Sequence, residues 1–295
     1  MRVRLIAIAL AASLGACGSD DSDSPPPTVA VLSAFPAELA AVLERATVTE
    51  TVMVDGRVFR KGTLSGVPVV MAMTGIGLLN ATATTQALLE HFRVDGVIVS
   101  GVAGSSLQIG DVTVPATWEL ADGTSFASTP VWLVLARQIS APGVTALEQC
   151  TRVTAPPTKD PVCFPRPPLI AVGGVGHSTD PFGTRPFICS RGEVFGCDVV
   201  PTDGTAVTAS DGGTSDTVAT AEPEPPIAED METAAIAREA AARDLPFIGF
   251  RAVSDGAGDP LGLPGFPTQF FAYYPLAAHN AAAAVAKFLE RVAAP

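Results

Sequence analysis

The sequence predicts an α/β protein: one domain of three layers, a central mixed β-sheet with helices on both faces. Three observations carry this. Val94-Asp95-Gly96-Val97-Ile98-Val99-Ser100 is a β-branched run of the kind found in strands covered on both faces. Runs of this type alternate with helical patterns along the chain, the order that builds parallel or mixed sheets. A length of 295 residues with 47% hydrophobic composition is enough for one large core, and nothing demands a second.

Taken in order, residues 29–33 read as a strand, and Ala37 to about Ala46 as a helix with Leu39, Val42 and Leu43 on one face. Val52-Met53-Val54 and the run from Val58 to Leu64 suggest strands. A Ser65-Gly66 turn leads into a third, Val67 to Met73. Thr74-Gly75-Ile76-Gly77 follows, and without a third glycine it is not a dinucleotide loop. Asn80 to His91 is expected to be helical. Residues 156–168 are Pro-rich, and residues 201–226 mix Thr, Ser, Gly, Asp and Pro, so both read as surface insertions. In Asp230-Met231-Glu232-Thr233-Ala234-Ala235-Ile236-Ala237, acidic residues open an Ala-rich helix, where the macrodipole favours them. Phe247-Ile248-Gly249-Phe250 is a short buried strand, placing Arg251, Ser254 and Asp255 at or just past its carboxyl end. Leu276 to about Ala293 closes the chain as a helix with an Ala stripe. Ligands of open α/β sheets bind beyond the carboxyl ends of the strands, so Glu232 and Asp255 are expected to face one crevice.

Thirty Asp and Glu against 18 Lys and Arg give a net charge of −12 with no basic stripe, which argues against nucleic-acid binding. At the N-terminus, Arg2 and Arg4 precede an apolar stretch from Leu5 to Leu14 that is too short to span a membrane and reads as an export signal. Leu14-Gly15-Ala16-Cys17 resembles a bacterial lipobox. The expectation is therefore a leader of residues 1–16, lipidation at Cys17, a flexible tether over 17–27 and the domain over 28–295, held at the outer membrane, facing the periplasm or the cell surface, by its lipid alone. An ordinary signal peptide with an incidental cysteine is the alternative. The other cysteines, Cys150, Cys163, Cys189 and Cys197, lie within the insertions of about 140–227, and an even number in an exported chain suggests two disulfides. Of three pairings, Cys150–Cys163 with Cys189–Cys197 is favoured because each closes a short loop. No CxxC spacing occurs and His91, His177 and His279 are scattered, so no metal site is expected.

Five motifs in order carry a family resemblance: Val29 to Glu38, Thr74-Gly75-Ile76-Gly77, Ser100-Gly101-Val102-Ala103-Gly104, Ile109 to Pro115, and the pair Asp230-Met231-Glu232 with Arg251-Ala252-Val253-Ser254-Asp255. In these the chain resembles the purine nucleoside phosphorylase/nucleosidase superfamily, most of all its 5'-methylthioadenosine/S-adenosylhomocysteine nucleosidase branch. The likeness covers 28–118 and 228–292, and between them only Ser178-Thr179-Asp180-Pro181-Phe182 matches.

The resemblance implies a homodimer that cleaves the N-glycosidic bond of a purine nucleoside without a cofactor. It makes Asp255 the acid that protonates the leaving base, Glu38 the base that activates water, and Arg251 a neighbour of that water and the carboxylates. Glu232 would accept hydrogen bonds from the ribose hydroxyls, with Met231 packed on the sugar and the turn at Ile76 over it. Ser254 would orient Asp255 or the base, Ala103 and Gly104 would line the pocket with backbone, and Phe182 would stack on the purine. Phe270 would touch the 5' substituent, with Phe266 as its competitor. Each has a plainer reading: a turn-capping Asp255, a Glu38 that serves the helix dipole, a core Phe182. Phosphorylases hold phosphate with cationic groups, and no basic residue occurs between Thr28 and Glu44, which favours hydrolysis. Val102 stands where the nucleosidases carry a small polar residue. A phosphorylase and a non-catalytic nucleoside-binding lipoprotein remain the alternatives.

Overall fold

The computed structural model describes residues 27–151, 161–198 and 227–294, so the leader, Cys17 and the 201–226 insertion lie outside the described residues. Strands and helices follow in the order β1 (Val29–Ser33), α1 (Pro36–Leu43), β2 (Ala46–Val54), β3 (Arg57–Leu64), β4 (Val67–Met73), α2 (Leu78–His91), β5 (Gly96–Gln108), β6 (Val112–Val114), β7 (Thr117–Leu120), β8 (Ser125–Ala127), α3 (Pro130–Ile139), β9 (Cys150–Thr151), β10 (Val162–Cys163), β11 (Ile170–Val172), β12 (Val175–Ser178), β13 (Ala228–Asp230), α4 (Thr233–Ala241), β14 (Phe247–Ala257) and α5 (Thr268–Val292).

The sheet is mixed. Its centre is parallel, with β4, β1, β5 and β14 side by side, and β2 and β3 extend one edge antiparallel. β5 pairs with β1 along its first residues and meets β13 at Gly104, which carries the sheet on through β12, β7 and β8. Alternation along the central strands feeds two cores. Val29, Val31, Val69 and Met71 join the core under α1, α3 and α5, whereas Ala30, Leu32, Val70 and Ala72 join the core under α2 and α4. A period of two with both faces apolar is what a strand between two helical layers requires. The architecture is thus a single α/β domain of three layers.

Several boundaries differ from expectation, each for a local reason. α1 ends at Leu43 and Ala46 already belongs to β2, which runs antiparallel to β3. β14 does not stop at Phe250 but continues to Ala257, because Arg251 to Val253 go on pairing with Gly101 to Ala103 of β5. Asp230 and Glu232 do not lie in the first turn of a helix. Asp230 ends β13, Glu232 is the residue before α4, and Asp230 Oδ1 accepts the backbone N–H groups of Glu232 and Thr233. Helix α5 begins eight residues before Leu276 and carries Pro275 in its second turn. Proline removes one helical hydrogen bond, so it reads as a break in sequence. Here burial of Ala272, Tyr273, Leu276 and Ala277 against the sheet holds the helix through it.

Both favoured disulfides are present, Cys150–Cys163 and Cys189–Cys197. The first ties β9 to β10 beside Phe164, whose ring packs on Tyr273 of α5.

Candidate active site

The carboxyl ends of β1 and β4 and the middle of β5 and β14 converge on one buried guanidinium. Arg251, fully buried, is carried into position by the pairing of β14 with β5 and β6. Its Nε donates to Asp230 Oδ2 at 2.7 Å, its Nη1 to Glu38 Oε1 at 3.3 Å and its Nη2 to Glu232 Oε2 at 2.9 Å. The residue beside it on β5 has to be glycine: a Cβ on Gly101 would fall 2.0 Å from Arg251 Nη1 and 2.4 Å from Glu38 Oε1.

Backbone groups from separate loops fix the two glutamates. Glu38, in the first turn of α1, accepts the Ala34 N–H at 2.6 Å and the Val102 N–H at 2.7 Å. Val102 thus contributes through its main chain, while its side chain is buried in the core. Glu232 Oε1 accepts the N–H of Gly77 at 2.9 Å, so the turn after β4 reaches the site with Ile76 on its shoulder. Gly77 has φ of 94°, a conformation that favours glycine, and it abuts Asp180, whose Oδ2 accepts the Leu78 N–H at the start of α2.

Three carboxylates around one guanidinium leave the cluster short of positive charge. Burial pushes the Glu38 carboxyl above its ordinary value, opposed by Arg251 and by the two backbone donors. Burial also pushes Glu232 up to about 7, with Arg251 opposing and Asp230 and Glu38 adding to the rise. Burial works against the charge on Arg251, yet its three carboxylates raise its pKa on balance. Arg251 is therefore permanently cationic, and Glu232 is the group of the cluster able to exchange a proton near neutrality.

Asp255 stands apart from this cluster, at an irregularity in the β14–β5 pairing, with Oδ2 against the backbone of Gly104. Desolvation raises its pKa, and the hydrogen bond from Ser254 Oγ at 2.8 Å works the other way. It lines a cavity of about 400 Å³ with Gly104, Glu229, Phe266 and Gln269.

The structure thus brings Glu38, Glu232 and Arg251 into direct contact and sets Asp255, Ser254, Ala103 and Gly104 beside one another. Met231 is half-buried between Asp230 and Glu232. Phe182 is 38% exposed and lies on Phe187 at 4.9 Å rather than along the Asp255 cavity. Phe270 packs on Phe35 and Tyr274, and it is Phe266 that lines the cavity. Sequence reasoning missed Asp230 as a member of the cluster. It binds Arg251, Ser178 Oγ and Thr233 Oγ1, and its signal, an acid two residues before Glu232, was masked by the more ordinary role of serving a helix dipole.

Comparison with known proteins agrees with this geometry. The family model for the phosphorylase superfamily matches residues 28–152. An uncharacterized protein of Mycobacterium tuberculosis is 35% identical over 197 residues, which cover 58% of this chain and 76% of that one. The 5'-methylthioadenosine/S-adenosylhomocysteine nucleosidase of Geobacillus kaustophilus is 40% identical over 88 residues, 29% of this chain and 37% of the enzyme. Among solved structures, the nucleosidase of that name from Neisseria meningitidis, in complex with methylthio-immucillin-A, superposes with a TM-score of 0.60 at 22% identity, covering 90% of this chain and 99% of that one. Futalosine hydrolase of Helicobacter pylori gives 0.59 at 18% identity, covering 90% and 98%. At such identities the two structures establish the shared fold. The motifs at the strand ends, the long relative and the matched fold agree, and the chain belongs to the phosphorylase superfamily, with 5'-methylthioadenosine/S-adenosylhomocysteine nucleosidases among its similar proteins.

Proposed function

We propose that this protein hydrolyses the N-glycosidic bond of a purine nucleoside. The observation that carries the reading is that one strand, β14, bears both Arg251, which gathers Glu38 and Glu232, and, four residues further on, Asp255 in its cavity. A purine leaves a ribose more readily as a neutral base than as an anion. Burial lifts the Asp255 carboxyl above its ordinary value, which helps it to carry the proton that it donates to the base. As the bond breaks, the sugar gains oxocarbenium character. Glu38, its pKa lifted by burial, takes a proton from the water that adds to the anomeric carbon, the inverting arrangement of two carboxyls about a scissile bond. Arg251 keeps Glu38 and Glu232 in place, and Glu232 accepts from the ribose hydroxyls. Water is favoured over phosphate as the nucleophile. Arg251, the guanidinium at this site, already has three carboxylate partners, and the first loop carries no basic residue.

The test is release of free base from a nucleoside panel with and without phosphate, by wild type, Asp255→Asn and Glu38→Gln. Both variants should lose about 10²–10⁴-fold in turnover. Asp255→Asn should be partly rescued by substrates whose leaving group needs no proton, and Glu38→Gln should not. Wild-type protein that binds nucleosides yet releases no base in either medium would establish a binding protein instead. We further propose that the mature chain is a homodimer that starts at a lipidated Cys17. Intact mass and light scattering of detergent-extracted protein check both points.

A further inference from the structure

A second cavity, of about 600 Å³, borders segments that hold the carboxylate cluster and shares no lining residue with the Asp255 cavity. It begins at Ala34, whose N–H holds Glu38, and at the Thr74–Ile76 turn, which leads to the Gly77 N–H on Glu232. Its roof is the Cys189–Cys197 loop, with Phe187 and Phe195 facing inward. The roof is tied down at separate points. Ala37 N–H donates to the Glu193 carbonyl at 2.9 Å, Asn80 Nδ2 to the Phe187 carbonyl at 2.8 Å, and Arg60 pairs with Asp198 at 2.6 Å.

Two arginines of β3 stand near this cavity, and their partners differ. Arg60 is neutralised by Asp198 through both terminal nitrogens. Arg57, which lines the cavity, gives its Nε to Thr84 Oγ1 at 2.9 Å and its Nη1 to the Asp55 carbonyl at 3.3 Å, and it has no carboxylate partner among the described residues. A half-buried guanidinium with free donors and an uncompensated charge, in a chamber of 300–1,000 Å³ with apolar walls, is a recognition site for an anion.

Resting on the nucleoside reading above, we infer that this chamber receives the 5' substituent of the nucleoside and that Arg57 selects one ending in an anionic group, a carboxylate or a phosphate. The base hangs from C1' and the 5' carbon from C4', on opposite flanks of the ribose ring. A nucleoside with its base at Asp255 and its hydroxyls at Glu232 therefore directs its 5' end away from the first cavity and toward the second.

The experiment compares 5'-deoxy-5'-(2-carboxyethylthio)adenosine with its primary amide, and adenosine 5'-phosphate with adenosine. Base release and calorimetric binding are read for wild type, Arg57→Met and Arg57→Lys. Wild type should favour at least one anion over its neutral counterpart by about tenfold or more, the range of a charge-assisted hydrogen bond. The pair that shows the preference identifies carboxylate or phosphate as the source. Arg57→Met should lose the preference and Arg57→Lys should keep part of it. Equal handling of anion and neutral by wild type, or a preference that survives in Arg57→Met, overturns the inference while leaving hydrolysis standing. Charge-selective binding without base release removes hydrolysis and keeps the anion site. Neither binding nor release of any probe overturns both.

Discussion

In the first cavity Asp255 stands on a sheet strand, and its neighbours Gly104 and Ser254 come from the same pair of strands. In the second Phe187 and Phe195 stand on a loop of irregular chain closed by Cys189–Cys197, and only the floor beneath them comes from the sheet. One inherits its precision from strand register, in which a residue cannot shift without moving its whole strand. The other obtains comparable fixity from a covalent bridge and a few long-range hydrogen bonds. The difference teaches where such a chain can vary. On the proposed reading the chemistry would belong to the sheet, and the surroundings of the substrate's far end to a segment that can change without disturbing the sheet.

That contrast can be broken most directly at its hinge, Arg251. Arg251→Met leaves Glu38, Asp230 and Glu232 buried together without their shared cation, and removing one partner of a buried ion pair costs about 3–5 kcal/mol. Chemical denaturation should show a loss of that size, together with loss of base release. If the variant melts like wild type, the cluster does not organise the strand ends.

The two bridges sharpen the comparison. Replacing either pair by serines should lower stability by roughly 2–4 kcal/mol. Loss of Cys150–Cys163 should act on stability alone, because that bridge supports α5 through Phe164 and Tyr273. Loss of Cys189–Cys197 should in addition raise KM for substrates with long 5' substituents, with less change for adenosine. Equal KM changes from both double variants would erase the distinction between a supporting bridge and a cavity wall.

The smallest expected effect is a pH dependence of stability. Burial lifts the Glu232 carboxyl from 4.5 to about 7 in the folded protein. A carboxyl that holds its proton more tightly folded than unfolded favours the fold when protonated. This contribution to stability is therefore lost as pH rises from about 4.5 to about 7. Glu232→Gln should flatten that decline by on the order of 1–2 kcal/mol, read from melts between pH 4.5 and 8. Parallel wild-type and variant curves would mean that Glu232 does not carry the excess charge of the cluster.

The sequence by itself determined the layered architecture, since the β-branched run Val94–Ser100 is of the kind that a strand covered on both faces buries, and such runs alternate with helical patterns. It also favoured, among three possible pairings, the one that the structure holds, because each bridge closes a short loop, and it named Glu38, Glu232, Arg251 and Asp255 through motifs whose residue order is local. Tertiary structure alone decided what each of these touches. That Gly101 must be small depends on Arg251, 150 positions away in a strand paired with its own. Asp230 changed from a helix-dipole partner into a ligand of the guanidinium once β13 placed it there, and Phe266 lines the cavity at Asp255 while Phe270 packs on Phe35 and Tyr274. That Arg57 has no carboxylate partner among the described residues was invisible for the same reason. Arg57 and Arg60 look alike along the chain, and the return of Asp198 on the far side of a disulfide loop neutralises Arg60, whereas Arg57 meets only Thr84 and the Asp55 carbonyl among the described residues. A side chain's type and its local period are properties of the sequence, whereas its charge partners come from segments that the fold brings together across many residues.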